Sequence, residues 1–142
     1  MWNRRLRSVA MIGLLAVVGC GPAEPFSQVP ITGTVTYDDG SLIPAEQIRV
    51  TFYPQAQPKD AKTHPRPGTA NVNVADGSFK EVTSHKFNDG VVAGLQKVTV
   101  QTFDSADMPT DVLPAEYYDV HTTPLTYDTA SGGPAKLTVK KK

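Results

Sequence analysis

Cys20 is the only cysteine among the 142 residues, and it directly follows Val17-Val18-Gly19. A lone thiol forms no internal disulfide and cannot supply a multi-cysteine zinc site, so its chemistry is that of a single nucleophile. The histidines His64, His85 and His121 are scattered, and none sits in an HxH, HExxH or Cys/His spacing. No metal and no cofactor is therefore expected. Ser84, His85 and Asp89 are residue types of a nucleophilic triad, but no GxSxG context surrounds the serine. No catalytic residue is assigned, and no enzymatic activity is expected. Asp38-Asp39 and Asp104, Asp107 and Asp111 offer oxygen atoms without the DxDxDG order of a calcium loop. That leaves Tyr53, Tyr117, Tyr118 and His121 as the candidate binding surface, because a tyrosine ring can pack on a ligand while its hydroxyl stays wet.

The thiol's setting is the most informative stretch of the chain. Arg4, Arg5 and Arg7 precede ten uncharged residues, Val9 to Val18, and no acid occurs before Glu24. A basic start followed by a short apolar run is the layout of a signal peptide. Ten helical residues span roughly 15 Å, half of a hydrocarbon core, too little for a membrane-crossing anchor. Val17-Val18-Gly19-Cys20 resembles the lipobox of bacterial lipoproteins. That resemblance implies a thioether-linked diacylglyceryl group on Cys20, cleavage between Gly19 and Cys20, and an amide-linked acyl chain on the new N-terminus. Two or three acyl chains give stable anchoring where one does not. The expected divisions are a signal peptide at 1–19, the lipidated cysteine with a short tether at 20–28, and one domain at 29–142. Gly21, rather than Asp, follows the cysteine.

The whole chain holds 14 basic and 14 acidic side chains. Without residues 1–19 and their three arginines, the formal charge is −3. Such a balance excludes the basic surface that nucleic-acid binding needs. Membrane lipid is the expected partner, joined through the acyl chains of Cys20, with an envelope protein or a glycan as further candidates.

The domain that must position any site reads as all-β. Thr32, Thr34 and Thr36 alternate with Ile31, Gly33, Val35 and Tyr37 before Asp38-Asp39-Gly40 turns the chain. Ile48, Val50 and Phe52 alternate with Arg49, Thr51 and Tyr53 until Pro54. Ala70, Val72 and Val74 alternate with Asn71 and Asn73; an Asp76-Gly77 turn then leads to Phe79. Val98, Val100 and Thr102 share one face of a strand over 96–103, and Leu125 with Tyr127, then Leu137 with Val139, supply two final strands. About seven short strands with one apolar face each predict an antiparallel β-sandwich. Residues 55–67, with Pro58, Pro65 and Pro67, and 104–124, with Pro109, Pro114 and Pro124, read as loops, and the second is where a binding surface is expected.

The order of Ile31-Thr-Gly-Thr-Val-Thr-Tyr37, Ile48-Arg-Val-Thr-Phe-Tyr-Pro54, Ala75-Asp-Gly-Ser-Phe79, Gly94-Leu-Gln-Lys-Val-Thr-Val100 and Thr123-Pro-Leu125 resembles bacterial lipoproteins with a transthyretin-like, carboxypeptidase-regulatory-like domain. The resemblance implies a seven-stranded prealbumin-like sandwich with a non-catalytic role. Transthyretin-like hydroxyisourate hydrolases share that architecture, but their C-terminal Tyr-Arg-Gly-Ser is replaced here by Val139-Lys140-Lys141-Lys142. The expected identity is a lipid-anchored structural or protein-interaction module on the periplasmic or outer side of a bacterial membrane. The alternative is a glycan-binding module using the 104–124 loop.

Overall fold

The computed structural model describes residues 23–142; the expected signal peptide at 1–19, with Gly19 and Cys20, lies outside the described residues. The described chain is all-β. Nine strands form: β1 (Gln28–Val29), β2 (Gly33–Tyr37), β3 (Gln47–Pro54), β4 (Gly68–Val72), β5 (Ser78–Phe79), β6 (Val91–Val92), β7 (Leu95–Phe103), β8 (Thr126–Asp128) and β9 (Ala135–Val139). Seven make one sheet in the order β8-β7-β3-β4-β5-β2-β9, and β1 pairs with β6 apart from it.

Alternation decides which side of each strand is buried. In β3, Ile48, Val50 and Phe52 point inward; in β9, Ala135, Leu137 and Val139 do so while Lys136 and Thr138 are exposed. Val98 and Val100 of β7 join the same core. Both edges of the sheet contribute to it, so the sheet is strongly curled, nearly a barrel. Phe52 sits at its centre, 5.7 Å from the Phe79 ring and 6.2 Å edge-on from Tyr127 of the edge strand β8. Such aromatic pairs add about 0.5–1.5 kcal/mol beyond their buried area.

The expectation of purely antiparallel pairing is corrected. Strands β2 and β9 run parallel, in register from Gly33↔Ala135 to Tyr37↔Val139. A parallel partner requires a long connection, and the chain between β2 and β9 provides it. Gly33 permits the close approach, since a Cβ there would stand 2.2 Å from the Ala135 carbonyl oxygen. The two expected Asp-Gly turns form with Gly40 and Gly77 at φ +83° and +74°. Val74 is not part of its expected strand: β4 ends at Val72, because the Asn73 carbonyl closes a turn by accepting from the amides of Asp76 and Gly77.

Strand register defines two ends of the molecule. Tyr37, Gln47 and Phe103 lie at one end, with the 104–124 segment; Pro54, Gly68 and Leu95 lie at the other, with residues 24–28, 55–67 and 80–94, and Gly33 stands level with Val72 through their shared partner Phe79. Residues at the start of the described chain are fastened to this second end. Glu24 pairs with Lys86 at 3.0 Å, Lys59 lies 5.3 Å over the Phe26 ring, and the Ser27 carbonyl accepts from the Ala93 amide.

Candidate functional site

The four residues expected to form a binding surface do not converge. Tyr53 belongs to the second end, opposite Lys97 on β7, whereas Tyr117, Tyr118 and His121 belong to the far end. Tyr117 is only 2% exposed, which corrects its assignment to a ligand platform. A short 3-10 turn, Ala115–Tyr118, begins after Pro114 and directs its ring into the core with Leu113. Its hydroxyl accepts from the Lys140 amide at 3.0 Å. Tyr118 is half-buried, and its hydroxyl accepts from the Leu113 amide at 2.8 Å. Both hydroxyls are thus engaged by backbone. The 104–124 segment is a packed cover, with Thr123 donating to the Val98 carbonyl at 2.6 Å. His121 is exposed, its amide held by Asp119.

Ser84, His85 and Asp89 do come together, in an arrangement that serves the loop rather than nucleophilic attack. The Asp89 carboxylate accepts from the amides of Ser84, His85 and Lys86 at 2.8, 3.0 and 2.8 Å, and from the Ser84 hydroxyl at 3.1 Å. The His85 ring is engaged elsewhere, with Nδ1 3.0 Å from the Arg66 guanidinium. No histidine base therefore touches the serine hydroxyl, as attack would require. Partial burial pushes the Asp89 carboxyl up, but the three amides and the hydroxyl outweigh it and hold it below the ordinary aspartate value. Such a carboxylate is a structural acceptor that stays ionised.

A concave surface of the described domain lies elsewhere, on the outer face of β2 to β5. It is an open groove of about 960 Å³. Its walls present Thr34, Thr69, Asn71 and Thr83, with Arg49 along one side and Phe87 at the rim. Alternation explains the composition: the side chains that face out from β2 and β4 are the polar ones. The two faces meet because β5 is only two residues long, Phe79 pairing with Val72 on one side and Gly33 on the other. Asp76 at the groove edge is spent on the turn: the Ser78 hydroxyl and amide, at 2.7 and 2.9 Å, hold its carboxyl low. The groove therefore offers hydroxyl and amide donors and acceptors, with Arg49, Lys80 and Glu81 among its lining residues, a composition suited to binding. Sequence reading identifies the threonine and asparagine faces but not their meeting, which depends on strand order.

At the second end, a small cleft of about 110 Å³ is lined by residues including Glu24, Phe26, His64, Arg66 and His85. Among the described residues no group of three or more His, Cys, Asp or Glu side chains is placed to hold a metal ion. No described helix is long and apolar enough to cross a membrane. The exposed C-terminal lysines are tied down, Lys141 to Asp39 and Lys142 to Asp111. No protein-family model matches the chain, and no curated protein or solved structure matches it.

Proposed function

We propose that the chain is a non-enzymatic, lipid-anchored module of the bacterial cell envelope, held to the membrane through acyl chains on Cys20 and acting as a structural or protein-interaction domain. The observation that carries this reading is the order Val17-Val18-Gly19-Cys20 standing four residues before Glu24, where the chain is fastened to the domain by the 3.0 Å pair with Lys86. Four residues reach at most about 14 Å, so an acylated Cys20 would keep the domain against the bilayer. The fold reading that accompanies it is a transthyretin-like sandwich. Its support is the strand order of the sequence and the packing of β3, β7 and β9 side chains on one core.

The groove over β2 to β5 is the surface on which such a module would meet a protein partner, because it combines hydrogen-bonding walls with one exposed aromatic side chain. The glycan reading through Tyr117 and Tyr118 loses its platform, since the first ring is buried and both hydroxyls are bound to backbone.

Mass spectrometry of the mature protein tests the proposal. The expected result is an N-terminus at Cys20 carrying diacylglyceryl and acyl groups, with Cys20→Ala giving soluble, unacylated chain. An acylated mass in Cys20→Ala would overturn it. Photo-cross-linking from Thr69 or Asn71 in intact cells should capture one recurrent envelope protein, and capture of none would remove the groove from this role.

A further inference from the structure

Phe87 is 77% exposed, the most exposed large apolar side chain among the described residues. It is held out by an ordered loop. Asp89 fastens the amides of Ser84, His85 and Lys86, the Asn88 amide donates to the Thr83 hydroxyl at 3.0 Å, and Asn88 itself takes the left-handed conformation at φ 57°. An apolar ring on so constrained a tip loses little conformational freedom when it enters another phase. Several cations share this end of the domain with it. Lys86 precedes it in the chain, and Arg66 lies against His85; Lys59 and Lys62 stand on the neighbouring exposed loop. Of the acids at this end, Asp89 is spent on its own loop, Asp60, though exposed, accepts from the Lys62 and Thr63 amides and the Thr63 hydroxyl, and Glu81 is exposed along the groove that Phe87 also lines. Glu24 is engaged by Lys86.

We infer that this end of the domain is a membrane-contact surface, with Phe87 entering the bilayer interface and Lys59, Lys62 and Arg66 facing anionic headgroups. The inference rests on the reading of Cys20 as the anchor, because the span of chain between them selects a lipid surface as the occupant. Glu24 is held to Lys86, the residue beside Phe87, and at most about 14 Å of chain separates Glu24 from Cys20. Aromatic rings settle at headgroup depth, and nearby basic side chains are drawn to anionic lipid. The far end, with His121, then points away from the membrane, and the groove of β2 to β5, with Phe87 at its rim, opens just above the surface.

The test uses the full chain with Trp2→Phe, which removes its only natural tryptophan, and Phe87→Trp as the reporter. The protein is reconstituted in vesicles containing phosphatidylglycerol. Emission from the Phe87→Trp reporter should shift to the blue and be quenched by lipids brominated about 5–10 Å below the headgroups. A second protein, carrying His121→Trp with Trp2→Phe, should stay red and unquenched. Double charge reversal, Lys59→Glu with Arg66→Glu, should weaken quenching of the Phe87→Trp reporter and remove its dependence on anionic lipid. An acylated protein whose reporter at position 87 stays in water, or whose two reporter positions are quenched alike, overturns the inference and leaves the anchor standing. Where mass spectrometry shows no acyl groups, the anchor reading fails instead. The isolated chain is then coupled through Cys20, its sole thiol, to a maleimide lipid; quenching at position 87 supports the surface by itself, and its absence overturns it.

Discussion

The Tyr117 hydroxyl accepts a hydrogen bond from the Lys140 amide at 3.0 Å, joining the segment after β7 to the end of β9, the opposite edge of the sheet. Tyr117 and Leu113 are both buried in the core that those edges share. This one contact explains why a proline-containing stretch of twenty-odd residues stays close to the body: it closes one end of the curled sheet. Removing only the acceptor, Tyr117→Phe, leaves a part-buried amide without its protein partner and is expected to cost about 1 kcal/mol. Tyr117→Ala also empties the space of the ring, with an expected loss of about 3–5 kcal/mol. Urea denaturation of the two variants measures both, and a loss near zero in Tyr117→Ala would contradict the packing role.

Asp89 makes a prediction about acid. Its folded carboxyl lies below its unfolded value near 3.9, so the stabilisation is fully present above that value and disappears as the pH falls through the folded one. Asp89→Asn cannot accept from all three amides at once and should lose about 1–2 kcal/mol at neutral pH. Its stability should fall less steeply than that of the wild type below about pH 4. Thermal melts from pH 7 to pH 3 provide the comparison.

Gly90 stands at φ +88°, and a Cβ there would lie 1.9 Å from the Val29 carbonyl oxygen. Gly90→Ala should therefore push β1 away from β6, at a cost of about 1–3 kcal/mol. Hydrogen exchange should report it locally, with faster exchange at the Ala93 amide, which in the wild type donates to the Ser27 carbonyl.

Thr99 is a case where removing a polar group should help. It is 1% exposed, and its hydroxyl finds no partner among the described residues. Thr99→Val keeps the shape and removes an unpaired group, so a gain of about 1 kcal/mol is expected. A lower melting temperature for Thr99→Val would show that the hydroxyl is satisfied in solution.

These residues also show where sequence reading succeeds. In β2, β3, β7 and β9, each apolar residue of the alternating runs is buried, because a strand with one face on a core has a period that only one register satisfies. Gly40 and Gly77 are identifiable because left-handed turn positions favour glycine. Strands β1 and β6 escape such a reading, since two residues carry no period. The parallel union of β2 and β9 is equally hidden, as alternation is the same for either direction. Thr99, on the polar phase of β7, is buried by coverage that the strand alone does not foretell. The inward turn of Tyr117 follows from the 3-10 geometry after Pro114, where the apolar spacing from Leu113 to Tyr117 is the available clue. The residues of the groove are visible singly, yet their convergence depends on β5 bridging β2 and β4.

The place of β9 bears on how the domain comes into being. Its partner β2 is among the first strands made, and Lys141 reaches back to Asp39 across 102 residues. Connections this distant slow folding, because the chain's two ends must meet before the sheet is complete. A polypeptide threaded through a pore N-terminus first would have β2 on the far side long before β9 arrived. Closure would wait for β9, so the transit itself would involve a pliable, unfinished chain, and that strand would act as the latch.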